Sequence, residues 1–242
     1  MTASEIEKSS PRLMARTAGT IYLLTGFAYV FADNFVRGKL IVSDDAASTV
    51  HNILAHETLY RAGFAADLLS SIWFIPVTLL FYELFKPVNR KIALLAAFFS
   101  LSGCVVAAFG SIFHLIPLVL LSGSPYLSAF STAQLQTLML FFLKLRAEAS
   151  TIYMVFFGCY NISIGYLVFR SKFLPRVIGV FMMIAGITYQ SFLWPPLLTR
   201  IFPYVVGPAG ALGELSLVFW LILFGVNAQR WKEQARTTFS SC

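Results

Sequence analysis

Long apolar runs, interrupted by short clusters of charge, set the plan of this chain. Six runs stand out, at residues 17–36, 62–85, 92–121, 150–169, 177–193 and 207–228. Each is near the roughly 20 apolar residues that an α-helix needs to cross a hydrocarbon core about 30 Å thick. No segment reads as a credible strand, and a backbone in lipid must satisfy its own polar groups, which a helix does. The run at 92–121 is long enough to tilt, or to bend at Pro117. Pro76 kinks the run at 62–85, a defect that lipid-embedded helices tolerate when neighbours satisfy the freed carbonyl. Pro208 falls where a helix accepts proline most easily. The predicted fold class is all-α, a polytopic membrane helix bundle forming one membrane domain over residues 1–242.

Two segments complicate this pattern. Residues 129–148 are partly apolar but carry Gln134, Gln136, Lys144, Arg146 and Glu148. A seventh crossing there would reverse the C-terminal half, so the segment is predicted to be an amphipathic helix lying at the outer surface. The stretch ending in Val30-Phe31-Ala32 superficially resembles a signal peptide and its cleavage site. Gly26, Asp33 and the full length of the apolar run fit a retained first helix better.

Charge decides the orientation. With the N-terminus inside, inner segments hold Lys8, Arg12, Arg16, Lys86, Arg90, Lys91, Arg170, Lys172, Arg176, Arg230, Lys232 and Arg236. Outer segments hold Arg37, Lys39, Arg61, Lys144, Arg146 and Arg200. That is twelve against six of the 18 basic residues, and short basic loops stay on the cytoplasmic side. Both termini are therefore predicted inside a cytoplasmic (inner) membrane. Tyr126, Trp194 and Tyr204 then reach the outer headgroups and Trp231 the inner ones. The net charge of +7 is scattered between apolar runs rather than gathered in a groove, which argues against a nucleic-acid partner. Only 12% of residues are charged, against about 25% in soluble domains. The lipid bilayer is the expected surrounding. Cys104 and Cys159 read as packing residues, and Cys242 lacks the spacing of a prenylation box.

Small and polar residues mark the helix faces that meet in lipid. Such stripes run through Gly19, Gly26 and Asp33; Asp67, Ser71 and Thr78; Ser100, Gly103, Ser111 and His114. Others run through Gly158, Asn161 and Gly165; Gly179, Gly186 and Gln190; Gly207, Gly210 and Glu214. In the predicted orientation Asp67 lies about 8 Å and Glu214 about 10 Å below the outer boundary, at 1.5 Å per residue. Asp33 and His114 lie near the outer ends of their helices, whereas Glu83 sits at the inner end within reach of Lys86. An aspartate in hydrocarbon costs at least about 2.5–3.5 kcal/mol, so such groups must be paired, protonated or hydrated.

One reading is an outward-facing polar pocket that binds a small solute or ion through Asp67, His114, Glu214, Arg61, Asp33 and Asn161, with Arg61 beside Asp67. The other is a set of interhelical hydrogen bonds that orders the bundle and binds nothing. Glu57 and Arg61, four apart, also have the spacing of a surface salt bridge. His51, His56 and His114 are the only histidines, and a divalent metal held by them would serve a membrane-embedded hydrolase. Their spacing is not that of paired zinc ligands, so no cofactor is expected. Whether the chain is an enzyme stays open.

Several local motifs carry a wider resemblance. They are Arg61-Ala62-Gly63, Leu84-Phe85-Lys86-Pro87-Val88-Asn89, Gly165-Tyr166-Leu167 with Ser171, Leu174-Pro175-Arg176 before Gly179, and Gly213-Glu214 followed by Trp220-Leu221. In these the chain resembles, over residues 12–229, the bacterial membrane-protein family catalogued as domain of unknown function 4386. The resemblance implies a polytopic inner-membrane protein and brings no catalytic residues with it. Three function classes follow: binding or transport of a small solute or ion, an accessory or sensor protein contacting another membrane protein, and the metal-dependent hydrolase.

Overall fold

A computed structural model describes residues 10–239; Lys8 and Cys242 lie outside them. The described residues contain no strand. Helix α1, Pro11–Val30, runs on through a π-helical segment, Phe31–Arg37, and a last turn, Gly38–Leu40. A short helix α2, Ala46–Ala55, follows, capped by Asp45, whose side chain accepts the Ser48 amide. The Ser48 hydroxyl and amide hold the Asp45 carboxyl below its usual range. Then come α3, Glu57–Phe85, α4, Arg90–Leu120, α5, Thr132–Arg170, and α6, Arg176–Tyr189. The chain re-enters as Pro195–Ile201 and a π-helical Phe202–Val206, leading into α7, Gly207–Leu223, and ends in α8, Ala228–Phe239.

Five helical stretches are long and apolar enough to cross a membrane: Glu57–Phe85, Arg90–Leu120, Thr132–Arg170, Arg176–Leu193 and Pro195–Leu223. Their outer faces carry bare apolar side chains such as Leu79, Phe98, Val105 and Phe109, each about 60–70% exposed. Water-soluble monomers seldom leave so much contiguous apolar surface uncovered, whereas lipid makes it the favourable face. The chain is a multi-pass membrane protein.

The segment at 129–148 departs from expectation. It is no separate surface helix: from Thr132 it continues unbroken to Arg170 as the 39-residue α5. At 1.5 Å per residue that is about 58 Å, nearly twice a hydrocarbon core of about 30 Å. No proline interrupts it, and Met139, Leu143 and Arg146 are buried along one face. The last apolar run also differs. It stops at Leu223, because Gly225 adopts a left-handed φ of +65° that favours glycine, and the chain restarts as α8.

The chain divides into two compact units. Unit 1 comprises the residues up to Leu23, Trp73–Gly103 and those from Ile152 onward. Within it α5 and α6 touch through two glycine pairs. A Cβ on Gly165 would lie 2.7 Å from the Gly179 carbonyl oxygen, and one on Gly158 would lie 2.8 Å from the Gly186 oxygen. Backbones this close need small residues, as helix contacts in lipid generally do. Gly26, placed in such a stripe by the sequence, meets nothing within 4 Å. Helix α8 is docked rather than loose. The Trp231 indole donates to the Leu84 carbonyl at 2.8 Å, and the Thr238 hydroxyl to that of Pro87 at 2.8 Å. Trp231 is fully buried, so it is a packing residue and not part of an exposed aromatic belt; Tyr126, Trp194 and Tyr204 are exposed.

Unit 2 comprises Leu24–Ile72 and Cys104–Thr151. Its apolar core is built from Val36, Leu40, Ile53, Tyr60, Met139 and Leu143.

Candidate functional site

Each unit has its own buried polar group. In unit 2 the centre is Asp67, on α3. Arg37 Nη1 donates to its Oδ2 at 2.7 Å, and Arg146 Nη2 to the same oxygen at 2.6 Å. Arg37 reaches back along its own helix to Asp33, with Nη2 2.9 Å and Nε 3.1 Å from Oδ1. Arg146 Nη1 also donates to Ser150 at 2.7 Å. Arg37, Asp67 and Arg146 are all buried, while the Asp33 side chain is 45% exposed. Two carboxylates thus face two guanidiniums, and the formal charge closes to zero. Desolvated charges are tolerated only when paired and hydrogen-bonded, and this set meets that condition apart from an unpartnered Arg146 Nε.

Arg61 is not in this network. It pairs with Glu57 at 2.7 Å, and both side chains are about half exposed, as their four-residue spacing allows. Glu83 pairs with Lys86, as expected. Lys144, counted with Arg146 as a surface cation, bonds Asp44 at 3.0 Å.

His114, on α4 in unit 2, has no exposed surface. Its Nε2 lies 3.0 Å from the Tyr60 carbonyl oxygen, while the Tyr60 hydroxyl donates to the His114 carbonyl at 2.8 Å. A carbonyl only accepts, so Nε2 carries the proton and Nδ1 is left as an acceptor with no partner. The rings stack at 4.1 Å. His51 and His56 are exposed. Among the described residues no three His, Cys, Asp or Glu side chains are grouped to hold a metal ion.

In unit 1 the centre is Glu214, on α7. Its Oε1 accepts the Tyr189 hydroxyl at 2.6 Å and its Oε2 the Tyr22 hydroxyl at 3.4 Å. The buried Asn161 side chain, from α5, interacts with the same carboxylate, although neither amide atom is in strict hydrogen-bond geometry with any partner. Glu214 has no ion pair with a basic side chain among the described residues. Aromatic rings surround these donors. Phe157 lies nearly parallel to Tyr153, Tyr160 and Tyr189, with centroids 5.6, 5.6 and 6.1 Å away. Phe74 stands edge-on to Tyr22, Phe157 and Tyr160 at 5.1–5.6 Å. Glu214, Tyr153 and Tyr189 keep accessible surface, whereas Tyr22, Phe74, Phe157 and Tyr160 are buried.

A family model, Domain of unknown function (DUF4386), matches residues 17–225. The chain belongs to that family. No curated protein and no solved structure matches it.

This DUF4386 chain therefore brings its sequence-predicted residues together in two groups, Asp33 with Asp67 in unit 2 and Glu214 with Asn161 in unit 1. Sequence reasoning missed the partners. Charge patterning alone places Arg37 in the outer loop and Arg146 on a surface helix. Yet Asp33 and Arg37 are four apart, and Met139, Leu143 and Arg146 follow one helical face at 0, +4 and +7. Tyr22 and Tyr189 carried a fainter signal, a phenol well inside an apolar run. Two of the sequence segments singled out above serve as helix junctions: Lys86-Pro87-Val88-Asn89 is the turn between α3 and α4, and Leu174-Pro175-Arg176 opens α6. Gly213-Glu214 instead presents the partly buried acid of unit 1.

Proposed function

We propose that this protein binds or transports a small solute or ion across the cytoplasmic membrane, with Glu214 as the central binding group and Tyr22, Tyr189 and Asn161 around it. The bundle crosses six times in this reading, α1 being the sixth span, with both termini in the cytoplasm. The carrying observation is the contrast between the two carboxylates. Asp67 has two guanidiniums and needs nothing more. Glu214 has hydroxyl and amide neighbours, and a charge in a lipid-embedded helix is costly unless something pairs with it. A ligand or a proton supplies that pairing, and an intramembrane ionisable group without an ion pair is by default a functional-site hypothesis.

The test is thermal stability of the purified full-length protein against a panel of cationic, anionic and neutral solutes. A ligand should raise the Tm of wild type and leave Glu214→Gln unchanged. A panel without any Glu214-dependent shift would sink the proposal. The second reading, an accessory or sensor protein, would then take its place; the charge-balanced group in unit 2 favours it, since such a group orders a bundle without any ligand.

A further inference from the structure

We infer that the ligand of the Glu214 site is a small organic cation, an amine or quaternary ammonium of a few carbon atoms. This deepens the proposed function and rests on it.

The only formal charge among Glu214, Tyr22, Tyr189, Asn161 and the rings beside them is negative. An anion would be repelled by the carboxylate, and a neutral solute would leave its charge to be balanced by a proton alone. A cation is the remaining class. Hard metal ions require a shell of oxygens, six to eight for calcium. Here the carboxylate is met by two phenols and one side-chain amide, and the further oxygens are the neutral phenols of Tyr153 and Tyr160, a poor shell for a hard ion. What the site has in abundance is π surface: Tyr153, Tyr160 and Tyr189 against Phe157, with Phe74 and Tyr22 edge-on. Ring faces attract cations within about 6 Å of the centroid, most strongly when water is excluded, and aromatic cages are a general solution for quaternary ammonium groups. An organic cation carries its charge on an apolar surface and loses little hydration on entering such a place. The members that keep accessible surface, Glu214, Tyr153 and Tyr189, supply the counter-charge and two aromatic rings.

Gly210 adds a structural lever. A Cβ there would overlap the Tyr189 hydroxyl, so the glycine on α7 leaves room for the phenol that donates to Glu214.

The experiment uses full-length protein in nanodiscs and four probes: choline, tetramethylammonium, 3,3-dimethylbutan-1-ol as the neutral carbon counterpart of choline, and sodium. Affinity is read by calorimetry and by Tm. Choline and tetramethylammonium should bind, and the alcohol and sodium should not. Glu214→Gln should weaken choline by more than roughly tenfold, the scale of a hydrogen-bonded charge. Tyr153→Leu should weaken it roughly 3–30-fold, and Tyr153→Phe, which keeps the ring face, should not. The Tyr153 pair keeps the test decisive if Glu214→Gln does not fold. Equal binding of choline and the alcohol overturns the organic-cation inference while leaving solute binding intact. So does a Glu214-dependent response to sodium or to pH alone. Absence of any Glu214- or Tyr153-dependent response to all four probes and to the wider panel removes both.

Discussion

Asp67 draws one oxygen onto two guanidiniums, Arg37 at 2.7 Å and Arg146 at 2.6 Å, in a place where all three side chains are over nine-tenths hidden. Removing one member of such a set leaves the others charged, desolvated and unmatched, which costs roughly 3–5 kcal/mol. Asp67→Asn should therefore lower thermal stability sharply, and Asp67→Leu combined with Arg146→Met should recover part of the loss. Arg61→Ala, at a half-exposed pair, should change stability by no more than about 1 kcal/mol. Unfolding curves in one detergent compare the three; equal Tm values for Asp67→Asn and Arg61→Ala would refute the pairing. That Asp67 and Glu214 are special was legible in the sequence, because acids within apolar runs are rare. Their partners were not, since hydropathy treats any arginine near a span end as a topogenic charge. Only the helical phase of Arg146 behind Met139 and Leu143 reveals that it points inward.

Helices α5 and α6 approach at Gly158 with Gly186 and at Gly165 with Gly179, each residue seven from the next on its own strip. The atoms that an added methyl would meet at Gly165 include the Gly179 carbonyl oxygen and the Met183 amide nitrogen, both at 2.7 Å, and backbone cannot step aside cheaply. Gly165→Ala should destabilise by about 1–3 kcal/mol, the range of overpacked cores. Gly26→Ala, with nothing within 4 Å, should be neutral or gain up to about 1 kcal/mol from helix propensity. If both alanines behave alike in thermal unfolding, the close approach is wrong. The docking of α8 is tested similarly: Trp231→Ala should cost about 3–5 kcal/mol, as for a buried aromatic truncated in a core. At this scale much of the plan could be read directly. Apolar run length gives both ends of α4 within two residues, the end of α3 and the start of α6, but it starts α3 five residues late and ends α6 four residues late. It failed for α5, because a helix that is half amphipathic and half apolar has no compositional boundary of its own. It also failed at Gly225, where one left-handed residue ends a run that hydropathy would continue.

Over the whole chain, orientation is the property on which the site's access depends. Arg12 donates to the Val226 carbonyl and Arg16 to that of Leu223, so the start of α1 and the end of α7 lie side by side. Trp231 and Thr238 bind the turn region at Leu84 and Pro87, and the Lys172 amide donates to Gln234. Within unit 1 the start of α1, the end of α7 and helix α8 thus lie beside the basic turns after α3 and α5. Short basic turns are retained on the cytoplasmic side; the proposed topology therefore has this end of unit 1 inside, with an even number of crossings. Five stretches qualify by length and apolarity, and in the proposed topology α1, whose π-helical continuation bears Asp33 and Arg37, is the sixth. Single cysteines in a background lacking Cys104, Cys159 and Cys242 check this. Cysteines at His51 and Tyr126 should react with a membrane-impermeant maleimide on intact cells. Those at Asn89 and Gln229 should react only after permeabilisation. Reaction at Gln229 but not at Asn89 in intact cells would mean an odd count, and Glu214 would then lie toward the cytoplasmic half of the membrane rather than the outer half.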